Sequence, residues 1–304
     1  MANFRGVSIA EDKTGNILLS GVHGIIPEYG ILGLIGASGC GKSLFMRSIS
    51  GLVRDCNFKG EVCFRKRKKL FGQFDSYFSY NEYNDSNLMG TLSPIEILRF
   101  RSYLTEKYNR NTEKEISGLL SLFFLADVST SNLSPWLKPG LSEPQRRLLN
   151  ICKDLICPAS ILLLDDVFSG LDSLITYDVL TTLRNMQKDK KISIVLSIHQ
   201  PTPRILEMFD QILILGAHKQ MSFFGTNRDL QNFIGRIGQV PLTNVEAETS
   251  PVDFFLNLID AQNEEMEGKD DDFTQIPRRG SSLYRSMFLA DPLYTTLMES
   301  LEVN

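Results

Sequence analysis

Eight residues, Gly36-Ala37-Ser38-Gly39-Cys40-Gly41-Lys42-Ser43, fill the pattern G-x-x-x-x-G-K-S. That pattern constrains the fold because it requires a strand, a tight loop and a helix in that order. The flanks supply them: Ile31-Leu32-Gly33-Leu34-Ile35 reads as a buried strand and Leu44-Phe45-Met46-Arg47-Ser48-Ile49 as a helix. Glycines at 36, 39 and 41 let consecutive N–H groups curl around a phosphate at a positive helix N-terminus. Lys42 reaches β- and γ-phosphates, and the Ser43 hydroxyl can ligate Mg²⁺. The alternative is a glycine-rich turn before an ordinary helix, which this strand–loop–helix setting disfavours.

A chain of 304 residues can bury a substantial core. Its net charge of −4, with 22% charged residues, gives no reason to expect a nucleic-acid partner. Five scattered cysteines suit reduced thiols better than a disulfide framework or a zinc site. No apolar run approaches the ~20 residues a membrane helix needs, so the sequence as written does not cross a membrane.

The segments Phe4–Ile9, Ile17–Ile26, Gly60–Phe64 and Ser76–Tyr83 read as strands, making the opening β-rich. The basic run Arg65-Lys66-Arg67-Lys68-Lys69 reads as a solvated hairpin loop, with contact to lipid headgroups or a nuclear signal as alternatives. Ser93-Pro94-Ile95-Glu96 combines an N-cap serine, a proline at the first helical position and a capping-box glutamate, predicting a helix from Pro94 to about Lys107. Helices over Glu113–Leu125, Ser142–Cys157 and Ser173–Gln187 alternate with apolar strands at Ser160–Leu164 and Ile192–Ile198. Such alternation predicts an α/β fold with a parallel or mixed core sheet. An N-terminal antiparallel β-subdomain precedes that core, and an α-helical subdomain covering about 91–157 is inserted into it. Residues 1–260 form one domain, 261–282 an acidic and basic linker, and 283–304 a helical segment. Arg278-Arg279-Gly280-Ser281 in the linker also fits a basic-directed phosphorylation site.

A phosphate loop needs a carboxylate at a neighbouring strand end, and Ile161-Leu162-Leu163-Leu164-Asp165-Asp166 provides it. Asp165 is placed to hold Mg²⁺, and Asp166 to orient or deprotonate an attacking water. His199 ends another predicted core strand, where α/β folds place ligands, and reads as a γ-phosphate contact.

These segments together resemble the nucleotide-binding domain of ABC transporters, of the P-loop NTPase fold. Leu141-Ser142-Glu143-Pro144-Gln145 stands where those domains carry L-S-G-G-Q. The G subfamily is the more specific resemblance, through Met89-Gly90-Thr91-Leu92-Ser93, Ser197-Ile198-His199-Gln200-Pro201 and Ser250-Pro251-Val252-Asp253-Phe254-Phe255-Leu256, the last similar to N-P-A-D-F-F-L. The resemblance implies ATP and Mg²⁺ as cofactors. It assigns nucleotide contacts to residues 36–43, Ser142, Gln145 and Asp172, and catalytic roles to Asp166, His199 and Asn84. Metal contacts fall to Ser43, Asp165 and Asn84, the last aligning with the Q-loop glutamine. It further implies a head-to-tail pair of such domains, a membrane domain in the same longer chain or a separate subunit, and a place at the cytosolic face of a membrane.

Departures from the family pattern temper the expected output. Asn84 and Asp166 are each one methylene shorter than the family's glutamine and glutamate, and a misplacement of ~1 Å can cost ~10²-fold in rate. Pro144 removes an N–H aimed at the γ-phosphate, a loss of about 2.7–4 kcal/mol for a charge-stabilising donor. Glu143 adds repulsion of up to ~4 kcal/mol at ~4 Å with an effective dielectric of ~20. Phe4 is the weak candidate for stacking on adenine. The resulting expectation is an energy-coupling domain for export of lipid-like or hydrophobic substrates, with weak or asymmetric hydrolysis and a heterodimeric partner. The alternative is an ATP-binding regulatory or structural module with little or no hydrolysis.

Overall fold

The computed structural model describes residues 2–53, 56–64, 67–68, 77–82, 91–105, 109, 111–131, 140–156, 159–216, 219–237, 255 and 285–303. The chain begins with β1 (Ala2–Glu11), β2 (Ile17–Ile26), β3 (Ile31–Ile35), α1 (Lys42–Ser50), β4 (Cys56–Phe64) and β5 (Arg67–Lys68). It continues with β6 (Phe78–Glu82), α2 (Pro94–Leu104), α3 (Thr112–Leu122), α4 (Glu143–Ile156), β7 (Ile161–Asp165), α5 (Ser173–Lys190) and β8 (Ser193–Ile198). The last described elements are α6 (Pro203–Leu206), β9 (Gln211–Gly216), β10 (Gln220–Gly225), α7 (Asn227–Ile237) and α8 (Pro292–Val303). Two compact units result: Met1–Phe74 with Val195–Asn304, and Asp75–Ile194.

In the first unit the strands run β5-β4-β1-β2-β10-β9-β3-β8. The β1–β2, β1–β4 and β4–β5 pairs are antiparallel, forming the expected N-terminal β-subdomain. β3 lies parallel to β9 with every β3 residue buried, which is why its sequence is continuously apolar rather than alternating. β1 buries both Phe4 and Val7, three positions apart, because its register shifts between them; a regular strand of period two would turn one outward. Phe4 packs edge-on against Phe45 of α1 with ring centroids 5.0 Å apart, so it belongs to the core and is not an adenine platform. Arg67 and Lys68 extend the antiparallel ladder opposite Phe64 and Cys63, so this part of the basic run is strand, where a loop was expected.

An aromatic cluster ties the C-terminal segment to this sheet. Phe288, in helical residues 285–289, lies 5.4 Å from Phe223, 5.6 Å from Phe233 and 5.8 Å from Tyr294. Phe255 stacks edge-on against Phe233, and Arg236 of α7 pairs with Asp291 at 2.9 Å. Phe233→Ala should destabilise the first unit by about 3–5 kcal/mol, the cost of a large aromatic cavity, measured as a shift in its urea-unfolding midpoint.

The second unit carries the helical insert with the parallel β6–β7 pair. α2 starts as expected: both the backbone N–H and the hydroxyl of Ser93 donate to Glu96, at 2.8 and 2.7 Å. It ends at Leu104, short of Lys107, because the Thr105 hydroxyl turns back onto the carbonyls of Arg101 and Ser102. α3 stops at Leu122, since Phe124 takes a left-handed backbone with φ 58°. α5 runs on to Lys190, three residues beyond the last apolar period, because Lys188 and Lys190 are good helix formers beside the negative helix end.

Candidate nucleotide-binding site

The first unit builds the phosphate loop between β3 and α1. A Cβ on Gly36 would stand 2.5 Å from the Leu215 carbonyl oxygen and 2.6 Å from Cys40 Sγ, so no other residue fits there. Gly41 precedes α1 with φ 103°, a conformation that side chains resist. Lys42 is 6% exposed, and its ammonium donates to the carbonyls of Gly36 at 2.6 Å and Ala37 at 2.9 Å. The loop therefore closes on its own lysine. His199, at the end of β8, lies 3.3 Å from the same nitrogen through Nδ1. An ammonium can only donate, so Nδ1 is the acceptor in this contact. The sequence placed His199 beside the phosphate loop from its position at the end of a predicted core strand, and the two meet at Lys42. Ser43, which follows, is exposed in the first turn of α1.

The second unit holds the acidic and signature residues. Asp165 ends β7 at 2% exposure, with Oδ2 accepting a 2.8 Å hydrogen bond from the Tyr80 hydroxyl. Asp166 is left-handed, φ 51°. Aspartate tolerates this region better than longer side chains, which gives a backbone reason for the shorter acid at this position. Ser142 and Gln145 cap α4 reciprocally: Ser142 N–H donates to Gln145 Oε1 at 2.9 Å, and Gln145 N–H to Ser142 Oγ at 3.4 Å. Glu143 accepts from Arg147 Nη2 at 2.8 Å, an i,i+4 pair that balances the charge expected to repel phosphate. Asp172 caps α5 by accepting from Ser173 N–H at 2.7 Å. Asn84 lies outside the described residues, as do Met89, Gly90 and all of Ser250–Leu256 except Phe255.

Side chains that the sequence did not single out hold α4 in place. Asn81 of β6 donates to the Asn150 carbonyl at 2.8 Å and to Asp154 Oδ2 at 2.5 Å, while Asn150 donates back to Asn81 Oδ1 at 2.9 Å. Ser79 donates to Asp154 Oδ1 at 3.3 Å, and Arg101 of α2 stands 3.9 Å from it. Burial pushes the Asp154 carboxyl up, against the opposing pull of Lys153, Arg101 and the hydrogen bonds from Asn81 and Ser79. The native state therefore holds this proton more tightly than the unfolded chain does. The stability it contributes is complete below the ordinary aspartate value of ~3.9 and is lost as pH rises through the raised native value. Asp154→Asn should remove this fall, seen as a flatter pH dependence of the second unit's urea midpoint above about pH 4.

The donors fit the groups that such a loop takes. In the first unit Gly36 and Gly41 leave room where a Cβ would intrude, Lys42 is a buried cation and Ser43 offers a hydroxyl oxygen; in the second unit, taken by itself, Asp165 offers a carboxylate, and both are the hard oxygen types that Mg²⁺ prefers. Among the described residues there is no cluster of three or more His, Cys, Asp or Glu side chains that could hold a metal by itself.

A strand-loop-helix phosphate grip on a mixed sheet, with an inserted helical region, defines a P-loop NTPase fold. Residues 19–169 match the family described as ABC transporter. A solved structure titled "Structure of ATP binding subunit of ABC transporter" superposes with a TM-score of 0.64 over 78% of this chain and 95% of that one, at 22% identity. Among curated proteins, ABC transporter G family member 24 of Dictyostelium discoideum is 26% identical over 99% of this chain. ATP-binding cassette sub-family G member 5 of Homo sapiens is 27% identical over 78% of it. The chain thus carries an ABC transporter domain, and the curated proteins it is similar to over most of its length are G family members. It spans 26% and 36% of the length of these two relatives.

Proposed function

We propose that this chain is the ATP-binding, energy-coupling domain of a G-group ABC transporter that drives export of lipid-like or hydrophobic substrates and hydrolyses ATP weakly or asymmetrically. The closure of the phosphate loop on Lys42 carries the reading: the buried ammonium already sits among Gly36, Ala37 and His199, so phosphate oxygens have only to replace two carbonyls. Lys42 would hold the β- and γ-phosphates, the N–H groups of residues 36–43 would cradle them, and His199 would orient the lysine or meet the γ-phosphate. Mg²⁺, carried with ATP and held through Ser43 and Asp165, would neutralise developing charge on the phosphates. Asn84 and Asp166 are the residues assigned to orient the attacking water.

The domain limits follow the same reading: a nucleotide-binding domain over 1–260 with its helical subdomain at about 91–157, a linker at 261–282, and helices at 283–304 leading toward a membrane domain. Among the described residues no helix is long and apolar enough to cross a membrane. A membrane domain, in the same longer chain or a separate subunit, would hold this one at a cytosolic membrane face. α2 supports such a partner, because Phe100, Tyr103 and Leu104, at helical spacing, are 44%, 57% and 63% exposed.

Composite sites make the dimer partner part of the proposal. Asp166 weakens the site on this chain's phosphate loop, while Glu143 and Pro144 weaken the one on the partner's. A heterodimer whose other domain carries an intact signature repairs the first site. Sedimentation in MgATP tests this: pairing with such a domain and little self-association is expected, and a self-dimer hydrolysing ATP at ordinary transporter rates would contradict it. The second reading, a module that closes on ATP without hydrolysing it, draws on the Ser142–Gln145 cap and on Pro144, which together keep α4 folded with fewer groups for phosphate.

A further inference from the structure

We propose that Tyr80 is a positioning residue that sets the Asp165 carboxylate for a divalent cation; the inference rests on the nucleotide-binding reading above. Both residues lie within the second unit, on adjacent parallel strands in which Tyr80 is opposite Leu163 and Glu82 opposite Asp165. The Tyr80 hydroxyl donates to Asp165 Oδ2 at 2.8 Å, and the carboxylate is 2% exposed.

An aspartate carboxyl at a strand end rotates in a broad, roughly two-fold well about its last torsion. The Tyr80 donor on Oδ2 favours one plane for the group and so helps to aim Oδ1. Tyrosine suits the task, because its neutral phenol donates to a carboxylate and adds no charge that would repel a cation. Hard cations depend on correctly aimed oxygens, and hydrogen-bond partners behind a metal ligand typically account for ~10–100-fold in metal affinity. The sequence motifs assign Tyr80 nothing.

Titrating a fluorescent ATP analogue into the full chain, in EDTA and at increasing Mg²⁺, tests the inference. Tyr80→Phe removes one oxygen and keeps the ring. It should leave the affinity in EDTA unchanged and raise the half-saturating Mg²⁺ concentration by ~10-fold or more. In an Asp165→Asn background the same change should have no further effect, an outcome that a general packing role for Tyr80 does not produce. Should the phenylalanine variant fail to fold, Tyr80→Met, equally without a donor, provides the comparison. A wild-type Mg²⁺ response in a folded donor-less variant overturns the role of Tyr80 and leaves the nucleotide reading intact. A wild-type chain that binds no analogue in either condition overturns that reading, and this inference with it.

Discussion

Lys42→Ala is expected to weaken MgATP binding by at least ~10²-fold, since hydrogen bonds from a charged donor contribute ~1.5–3 kcal/mol each and Lys42 would make at least two to phosphate. The fold should survive. The ammonium is satisfied by Gly36, Ala37 and His199, and truncation leaves two loop carbonyls that water can reach across the exposed Ser38 and Gly39. Isothermal titration beside a thermal-unfolding curve separates the two effects. A variant that folds and still binds MgATP within ~3-fold of wild type would remove the phosphate loop from the account.

The second large effect is a gain. Restoring glutamate at 166 together with glycines at 143 and 144 should raise ATP turnover by ~10²-fold or more, combining a correctly placed carboxylate with a recovered N–H donor. The structure adds a cost to each half of that repair. Asp166 has φ 51°, so Asp166→Glu places a longer side chain in a left-handed position at a penalty of up to ~1–2 kcal/mol. Removing Glu143 leaves Arg147, 10% exposed in its side chain, without its helical ion-pair partner, and two glycines in the first turn weaken α4. The repaired chain should therefore be faster and less stable, read from steady-state phosphate release and from its melting temperature. Glu143→Gly alone should give less than the ~4 kcal/mol that an unpaired charge implies, because Arg147 already balances it.

How legible each feature was depended on whether its cause is local. The phosphate loop was readable because each position has a chemical requirement within eight residues, and the capping boxes at Ser93–Glu96 and Ser142–Gln145 because cap and partner are three residues apart. β3 and β7 were readable from continuous burial. The Tyr80–Asp165 bond was not, because its partners are 85 residues apart and meet through strand register. The Asn81–Asn150–Asp154 network was hidden for the same reason. Phe124 and Asp166 adopt left-handed backbones without the glycine that would announce them. The Glu143–Arg147 pair has i,i+4 spacing and is local enough to be legible in the sequence. Arg67 and Lys68 read as loop because charge runs usually face water, yet β4 offered them an edge to pair with.

The central claim is that this chain grips MgATP through residues 36–43 and turns it over poorly by itself. Its most direct test is equilibrium MgATP affinity and steady-state hydrolysis measured on one preparation of the wild-type chain, with Asp166→Glu alongside. The account predicts firm, Mg²⁺-dependent binding in both proteins, slow turnover in the wild type, and a clear rise on Asp166→Glu. Wild-type hydrolysis at ordinary transporter rates, or no binding at all, would contradict it.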